Sequence, residues 1–459
     1  MAIKRFQSRC AAVAVGALAV IAAGSGLAAA DQTVTEANLP DRSLSTFQRN
    51  IVNARNIRLG GIGSGIFHSG NNSSNEFWML TDRGPNGQPG GLRTFPVPEF
   101  VPSIVKVKVK DERVEVVERI PLRTWGGAPI SGLPNLATVT SPLSATPPAA
   151  DEVPYAFDGV TPLNTYDLNG LDTEDIVRLK NGEFWVVDEY RPSVLRIAAN
   201  GRVLARYVPK GMAAQMAGAG YPVIDSLPAE YAYRRVNRGF EGLAVSPEGD
   251  ALFVALQSPL QLPPSVNVGR DSRNTRILRM NLKGEVTGEF LYRFEEFATF
   301  DPILSPPNRA RDMKLSGLYA LNSSQVLVLE RTDFVAKVYL VDLASATNLR
   351  AWTPPAGSAL NVLESLGADA ALAGAGVTPL PKRLIVDLDA IPGMPDKIEG
   401  ITLTKADELV VVNDNDFGLR DETIFDAAGN LANDTGLASK VITIKLPERL
   451  PLSRGQRGD

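Results

Sequence analysis

The chain of 459 residues contains one cysteine, Cys10, which lies in a segment that we expect to be removed. Residues 1–30 combine a basic start, an apolar run and a small-residue triplet, the order of a secretory signal peptide cleaved before Asp31. A retained membrane anchor is the alternative, but the apolar part is short for a membrane span. The processed chain then lacks disulfides, thiol nucleophiles and thiolate metal ligands. It is stabilised by burial alone, which a chain of this length permits.

Histidine is equally scarce, because His68 is the single one in the chain. Zinc sites built from two or three histidines are therefore excluded, and a Ser-His-Asp triad would have to use His68. The glycine-rich segment around Ser64 does not have the spacing of a nucleophile elbow. That motif needs glycine two residues before and after the serine, where this chain has Ile62 and Ile66. We interpret the segment as a turn that enters a strand.

An excess of basic charge is also absent. The formal net charge is −4, and loss of residues 1–30 removes three basic residues and no acidic one, which makes it −7. This balance argues against a nucleic-acid partner and permits cation binding. No later segment is long and apolar enough to span a membrane. We therefore expect an exported protein, periplasmic or secreted, without a nucleic-acid partner or a membrane span after cleavage, and we expect a monomer.

What the chain does contain is an internal repeat. Each copy has an acidic or small residue, usually followed by glycine, then an apolar strand, a turn, and a second very apolar strand that ends in a polar cluster. Two further strands follow most copies, so that each unit has the four antiparallel strands of a propeller blade. The copies begin at Ser64-Gly65-Ile66, Glu174-Asp175-Ile176, Glu241-Gly242-Leu243, Ser316-Gly317-Leu318 and Glu399-Gly400-Ile401.

These units predict an all-β fold, a β-propeller of five to six four-stranded blades, over residues 31–448. The copies are irregularly spaced because of insertions, a Pro-, Ser- and Thr-rich stretch over 126–168 and a short helix over 359–376. The last copy shows only one clear outer strand. We therefore expect N-terminal residues around 51–59 to supply the missing strand and close the ring. The polar tail 449–459 is predicted to be disordered.

The repeat gathers acidic residues at one mouth of the predicted channel, because the first strand of a blade begins, and the second ends, at the same rim. Crowded carboxylates raise one another's pKa unless a cation compensates, and oxygen ligands suit Ca²⁺. The alternative is that these residues are solvated loop charges or hydrogen-bond anchors between blades. The predicted metal ligands are Asp82, Glu174, Glu189, Glu241, Glu330, Glu399 and Asp414.

Arginines accompany these acidic residues. Arg83, Arg191 and Arg331 either neutralise local charge or hold an anionic substrate, since a guanidinium binds phosphate or carboxylate in a bidentate manner. A divalent cation and arginines around one pocket are what phosphoryl transfer to water requires. On this hypothesis, Glu189, Glu241 and Arg331 are the catalytic residues.

Several segments resemble the phytase-like family that is labelled "esterase-like activity of phytase". They are Leu80–Pro85, Asp188–Ser193, Gly239–Leu243, Leu329–Arg331 and Lys397–Ile401. The resemblance extends from about residue 60 to residue 446 and implies hydrolysis of esters or phosphoesters. The chain lacks the closely spaced aspartates, ending in Pro-Ala, that mark true β-propeller phytases. No catalytic residue of those enzymes is therefore carried over.

Three functions are consistent with these features. The first is hydrolysis of phosphate esters or related esters by a Ca²⁺-activated water. The second is a lactonase-like propeller, in which a neutral substrate needs no arginines. The third is a binding platform without enzymatic activity, in which the ion is structural. The contribution of the arginines separates the first from the second.

Overall fold

The computed structural model describes residues 33–70, 73–136, 152–303 and 310–453. The predicted signal peptide, part of the first insertion and most of the predicted tail lie outside these ranges, so those predictions are not addressed by the fold.

The described chain is built mostly of strands. Their bounds are β1 (Val34–Asn38), β2 (Ile62–Phe67), β3 (Glu76–Thr81), β4 (Ser103–Lys110), β5 (Arg113–Pro121), β6 (Thr173–Arg178), β7 (Phe184–Asp188), β8 (Ser193–Ile197), β9 (Val203–Pro209), β10 (Val223–Leu227), β11 (Phe240–Val245), β12 (Ala251–Leu256), β13 (Asn274–Asn281), β14 (Val286–Arg293), β15 (Lys314–Ala320), β16 (Gln325–Arg331), β17 (Ala336–Asp342), β18 (Lys382–Asp387), β19 (Ile398–Lys405), β20 (Glu408–Asn413) and β21 (Lys440–Lys445).

The helices are short. They are α1 (Leu44–Phe47), α2 (Val266–Arg270), α3 (Phe297–Phe300), α4 (Val362–Ser365) and α5 (Asp369–Gly374). The insertion predicted as one helix over 359–376 therefore contains two, α4 and α5. In the part of the chain that the structure describes, none of the helices has the length and apolar character needed to cross a membrane.

The strands form four sheets in which neighbouring strands are antiparallel, except that β10 pairs in parallel with β9 and β1 with β5. Strands β6–β10, β11–β14 and β15–β18 each make one sheet, and an eight-stranded sheet has the order β19-β20-β21-β1-β5-β4-β3-β2. Within the eight-stranded sheet, β1 and β5 are parallel and share a single residue pair, Asn38 with Arg113. The prediction of an all-β fold is confirmed.

The innermost strands are arranged as a ring. Strand β2 contacts β6, β6 contacts β11, β11 contacts β15, β15 contacts β19, and β19 returns to β2. The second strand of each repeat is buried on both faces between adjacent sheets, which explains its nearly continuous apolar sequence. Trp78 of β3, for example, packs edge-on against Phe184 of β7 with ring centroids 5.0 Å apart. A cycle of four-stranded antiparallel units is a β-propeller.

An N-terminal strand does complete the last unit, but it is not the predicted one. Strand β1 pairs along its whole length with β21, whereas residues 51–59 form a loop. Arg55 and Asn56 in that loop have φ angles of 52° and 59°, which turn the chain and are incompatible with a strand. The apolar residues that suggested a strand, including Ile51 and Ile57, are instead buried in a cluster with Phe417.

The pairing of β1 with β21 predicts a difference between the buried and the exposed positions of β1. Ala37 is 2 % exposed and packs in a core cluster, while Thr35, nearer the start of the strand, is exposed. We expect Ala37→Asp to lower the free energy of unfolding by roughly 2 kcal/mol or more, because it buries an unpaired charge. Thr35→Asp is the matched control and should change the melting temperature little. Equal melting temperatures for the two variants would contradict this placement of β1.

Candidate metal centre

A β-bulge recurs at the start of the inner strands and determines where the acidic side chains point. The pairing register shifts at Glu174 in β6, at Glu241 in β11 and at Glu399 in β19. Corresponding shifts occur beside Ser64 in β2 and Ser316 in β15. A bulge leaves its residue outside the ladder and re-aims its side chain. The glutamates of the repeat therefore leave the sheet at equivalent positions.

The second strand contributes the residue that follows the partner of the position just before the bulge. Aligning the units by their registers makes Asp82, Glu189, Gln257, Arg331 and Asp414 equivalent. On this alignment Glu330 is one residue early. Because successive side chains of a strand point to opposite faces, Glu330 and Arg331 face different surroundings.

The structure places Glu330 outside the mouth, and its prediction as a metal ligand is corrected here. Its carboxylate accepts hydrogen bonds from the Tyr292 hydroxyl and the Glu295 backbone amide at 2.5 and 2.6 Å. Lys382 Nζ lies 2.8 Å from it. Glu330 therefore links neighbouring strands through hydrogen bonds and an ion pair. Arg331 is the residue of this unit that occupies the position of the mouth acids in the other units.

The mouth cluster consists of the carboxylates that converge at the ring centre. Asp172, Glu174 and Glu189 form its tightest part, because they offer ligand oxygens that all lie within 4.8 Å of one another. All three are buried. Electrostatic interactions connect this triad to the rest of the cluster. The members are Asp82, Asp172, Glu174, Glu189, Glu241, Glu399 and Asp414.

Asp172 was not identified from the sequence. It precedes β6, and the Glu189 backbone amide donates to its carbonyl at 2.9 Å, which fixes the start of β6 against the end of β7. The signal was present in Asp172-Thr173-Glu174, since residues two apart on an extended chain share a face.

Burial and mutual repulsion raise the pKa of these acids. For Glu174 burial is the largest cause, followed by the charges of Glu241 and Asp172. For Glu189 the causes are again burial and then Glu241, while Arg83 acts in the opposite direction. The pKa of Asp82 is likewise raised by burial and by Asp172. Without a compensating cation, the cluster therefore holds protons at a pH where exposed carboxylates are ionised.

The donors available here fit a hard divalent cation. Oε1 of Glu189 and Oε2 of Glu241 are buried and have no hydrogen-bond partner among the described residues. Leaving such an atom unsatisfied is costly, so it points to a missing partner. Carboxylate oxygens are the ligands that Ca²⁺ prefers. Asp172, Glu174 and Glu189 are the residues that would hold the ion.

Asp414 differs from the triad because a cation of the protein lies beside it. Lys397 Nζ lies 3.7 Å from Asp414 and 2.5 Å from Asp416. Burial still raises the pKa of Asp414, with Asp416 as the next cause and Lys397 opposing both. Asp414 is thus part of the mouth cluster, but its charge is partly compensated.

Two of the three predicted anion-binding arginines, Arg83 and Arg331, are engaged by carboxylates. Arg83 bridges Glu152 at 2.5 Å and Asp172 at 3.2 Å. Arg331 contacts Glu399 and also Glu241, the latter at 3.3 Å.

Arg191 is buried in the turn between β7 and β8, where its φ is 49°. Because Arg83 and Arg331 form ion pairs with carboxylates of the cluster, they serve as its internal counter-ions.

The sequence profile of the phytase-like family, described as "esterase-like activity of phytase", matches residues 57–417. The match covers most of the chain, which therefore belongs to the phytase-like family. An uncharacterised secreted protein of Arthroderma benhamiae is 30 % identical over 178 residues. That alignment covers 35 % of this chain and 34 % of the relative, so the chain spans about a third of the relative's length.

Solved structures give distant similarities. A luciferin-regenerating enzyme is 11 % identical with a TM-score of 0.33, and the alignment covers 86 % of this chain and 95 % of the enzyme. A calcium-binding regucalcin from Agrobacterium tumefaciens is also 11 % identical with a TM-score of 0.33, and the alignment covers 86 % of this chain and 94 % of the regucalcin.

The raised pKa values predict opposite pH trends with and without calcium. The folded state binds more protons than the unfolded chain between the ordinary carboxyl pKa of about 4 and the raised values, so cation-free stability should fall as pH rises through this window. Ca²⁺ needs ionised carboxylates, and its stabilising effect should rise with pH. We expect calcium to raise the melting temperature more near pH 7.5 than near pH 5. An equal shift at both pH values would contradict this account of the cluster.

Proposed function

We propose that this protein is an exported, divalent-cation-dependent ester hydrolase, and that phosphate esters and related esters are its substrates. The observation that carries the proposal is the buried triad of Asp172, Glu174 and Glu189, whose ligand oxygens lie within 4.8 Å of one another. Membership of the phytase-like family supports ester chemistry. When bound, a divalent cation such as Ca²⁺ lowers the pKa of water and polarises an ester oxygen.

Glu241 is the residue best placed to accept the proton of the attacking water. Its Oε1 accepts hydrogen bonds from Ser316 Oγ at 3.2 Å and from Arg331 Nη2 at 3.3 Å, while its Oε2 has no partner among the described residues. Burial and the charge of Glu399 raise its pKa, which suits a general base. Arg331 orients this carboxylate, since its Nε also donates to Ser316 Oγ at 2.8 Å.

A second candidate is hydrolysis of a neutral ester such as a lactone. It is favoured by the ion pairs of Arg83 and Arg331, because a guanidinium that already binds carboxylates is less available to a substrate phosphate. The same triad would serve this chemistry. The two candidates differ in the charge of the substrate and agree on the cation.

Two further features belong to the proposal. We propose five blades, because the inner strands β2, β6, β11, β15 and β19 contact one another in a closed cycle. We also propose export, as the signal-like N-terminus and the secreted relative suggest. Cell fractionation distinguishes a periplasmic protein from a secreted one.

The test is hydrolysis of a phosphomonoester by the purified protein, with Ca²⁺ and with chelator. We expect calcium-dependent turnover that falls at least about 100-fold in Glu189→Gln, because a ligand of the cation is lost. Glu118→Gln, on an exposed position of β5, is the control and should be as active as the native protein. Lactone hydrolysis is measured in parallel.

The outcomes separate the candidates. Turnover of the lactone alone would favour the neutral-ester function. Absence of turnover on both substrates, with a melting temperature that calcium still raises, would reject the hydrolase. The cation would then stabilise a binding platform.

A further inference from the structure

The mouth of the ring has mainly acidic side chains on one side and several basic side chains on another. The triad lies on the side of β6 and β7, where Arg83 is the nearest cation. On the side of β11, β15 and β16, burial lowers the pKa of Arg238 and of Lys314; the charge of Arg331 lowers both further, and the charge of Arg238 also lowers that of Lys314. Arg238 and Lys314 are called the cationic pair below. Neither was identified as a site residue from the sequence.

The segment that carries Arg238 is fixed against the metal centre. Arg234 Nε donates to the Glu189 carbonyl at 2.9 Å, and Asn237 accepts from Arg83. Gly239 packs so closely on the backbone of Glu189 that a Cβ there would lie 2.4 Å from the Glu189 carbonyl oxygen. The position of Arg238 relative to the triad is therefore set by several contacts, and it does not depend on a free loop.

Arg238 has unused hydrogen-bonding capacity at this position. Its Nη1 is buried and has no hydrogen-bond partner in the described ranges. Burial lowers the pKa of Arg238, while Asp333, Glu189 and Glu241 act in the opposite direction, so the guanidinium stays charged. A buried guanidinium N–H without an acceptor indicates that an acceptor from outside the described chain completes it.

Lys314 adds a second positive charge on the same side. It is paired with Arg331 across β15 and β16, and its ammonium contacts Asp333. Asp333 is 53 % exposed, so solvent reaches this side of the mouth. Burial, followed by the charge of Arg238, lowers the pKa of Lys314 to about 8. An anion bound between Arg238 and Lys314 would relieve that repulsion.

More cations continue from this pair to the surface. Arg235 Nη1 donates to the Arg311 carbonyl at 2.8 Å. Arg311 is exposed, and its charge together with those of Arg238 and Arg270 lowers the pKa of Arg235 after the larger effect of burial. A row of like charges leading to a cleft draws anions towards it.

We propose that the cationic pair binds an oxyanion group of the substrate, a phosphate or a carboxylate, next to the cation held by Asp172, Glu174 and Glu189. This inference rests on the proposed function for the identity of the anion as part of a substrate. Arg238 and Lys314 thereby take the binding role that the sequence suggested for Arg83, Arg191 and Arg331. An anionic ester would then place its negatively charged group against the cationic pair and its reacting oxygen against the cation.

The experiment measures anion binding without turnover. Isothermal titration calorimetry with inorganic phosphate, and separately with acetate, is done on the full chain in chelator. We expect Arg238→Gln to weaken binding of the preferred anion by about tenfold or more, because a charge-assisted hydrogen bond is lost. Arg238→Lys should retain part of the affinity. Arg113→Gln, on an exposed position of the outer strand β5, is the matched control and should bind as the native protein does.

Melting temperatures are recorded first, and if Arg238→Gln unfolds early, Arg238→Lys and Lys314→Gln replace it. Loss of phosphate binding identifies a phosphate group, and loss of acetate binding alone identifies a carboxylate. Both support the proposal. Native protein that binds neither anion, or folded Arg238 and Lys314 variants that bind within about twofold of it, would overturn it. If anion binding depends on Arg238 but no ester is hydrolysed, the oxyanion site stands and the hydrolase is rejected.

Discussion

Mutual repulsion among buried carboxylates is the constraint around which this molecule is arranged. Asp172, Glu174 and Glu189 meet at the ring centre, and Glu241 and Glu399 lie close enough to raise the pKa of Glu174 further. Such a group is tolerated only with counter-charges or protons. The protein supplies part of the compensation through arginine and lysine side chains that ion-pair with the cluster. The remainder falls on the triad and on Glu241, since Glu189 Oε1 and Glu241 Oε2 have no hydrogen-bond partner among the residues that the structure describes.

The bulges explain how a repeated strand pair produces this concentration of charge. A regular inner strand would direct alternate residues into the interfaces between sheets, where apolar side chains pack. The register shift at Glu174, Glu241 and Glu399 releases one residue per unit from that alternation. Serine takes the same place at Ser64 and Ser316, so the cluster is asymmetric although the fold is repetitive.

That asymmetry gives the mouth its chemistry. The sides that keep acidic residues form the candidate metal centre, and the side where Arg331 replaces an acid at the end of β16 adjoins the cationic pair. An anionic ester needs both a Lewis acid near its reacting oxygen and a positive group at its charged end. On the proposed function, a cation held by Asp172, Glu174 and Glu189 and the cationic pair beside it would supply both.

The periodicity of the chain was sufficient to predict the all-β fold, the repeat, and six of the seven carboxylates in the mouth cluster, because strand pattern and bulge position are local properties. It did not predict that Glu330 faces away from the mouth. A shift of one residue reverses the face on which a strand residue lies, and only the pairing with β15 defines the register. It misplaced the closing strand, because residues 34–38 and 51–59 are both partly apolar and the choice between them is made by pairing with β21, about 400 positions later. Arg238 carries no repeat signal, and its role follows from the contacts that hold residues 234–239 against Glu189. Local sequence thus determined which strands form and which acids they carry. Contacts between distant segments decided which charges meet, because electrostatic and packing energies depend on distance in space and not on separation along the chain.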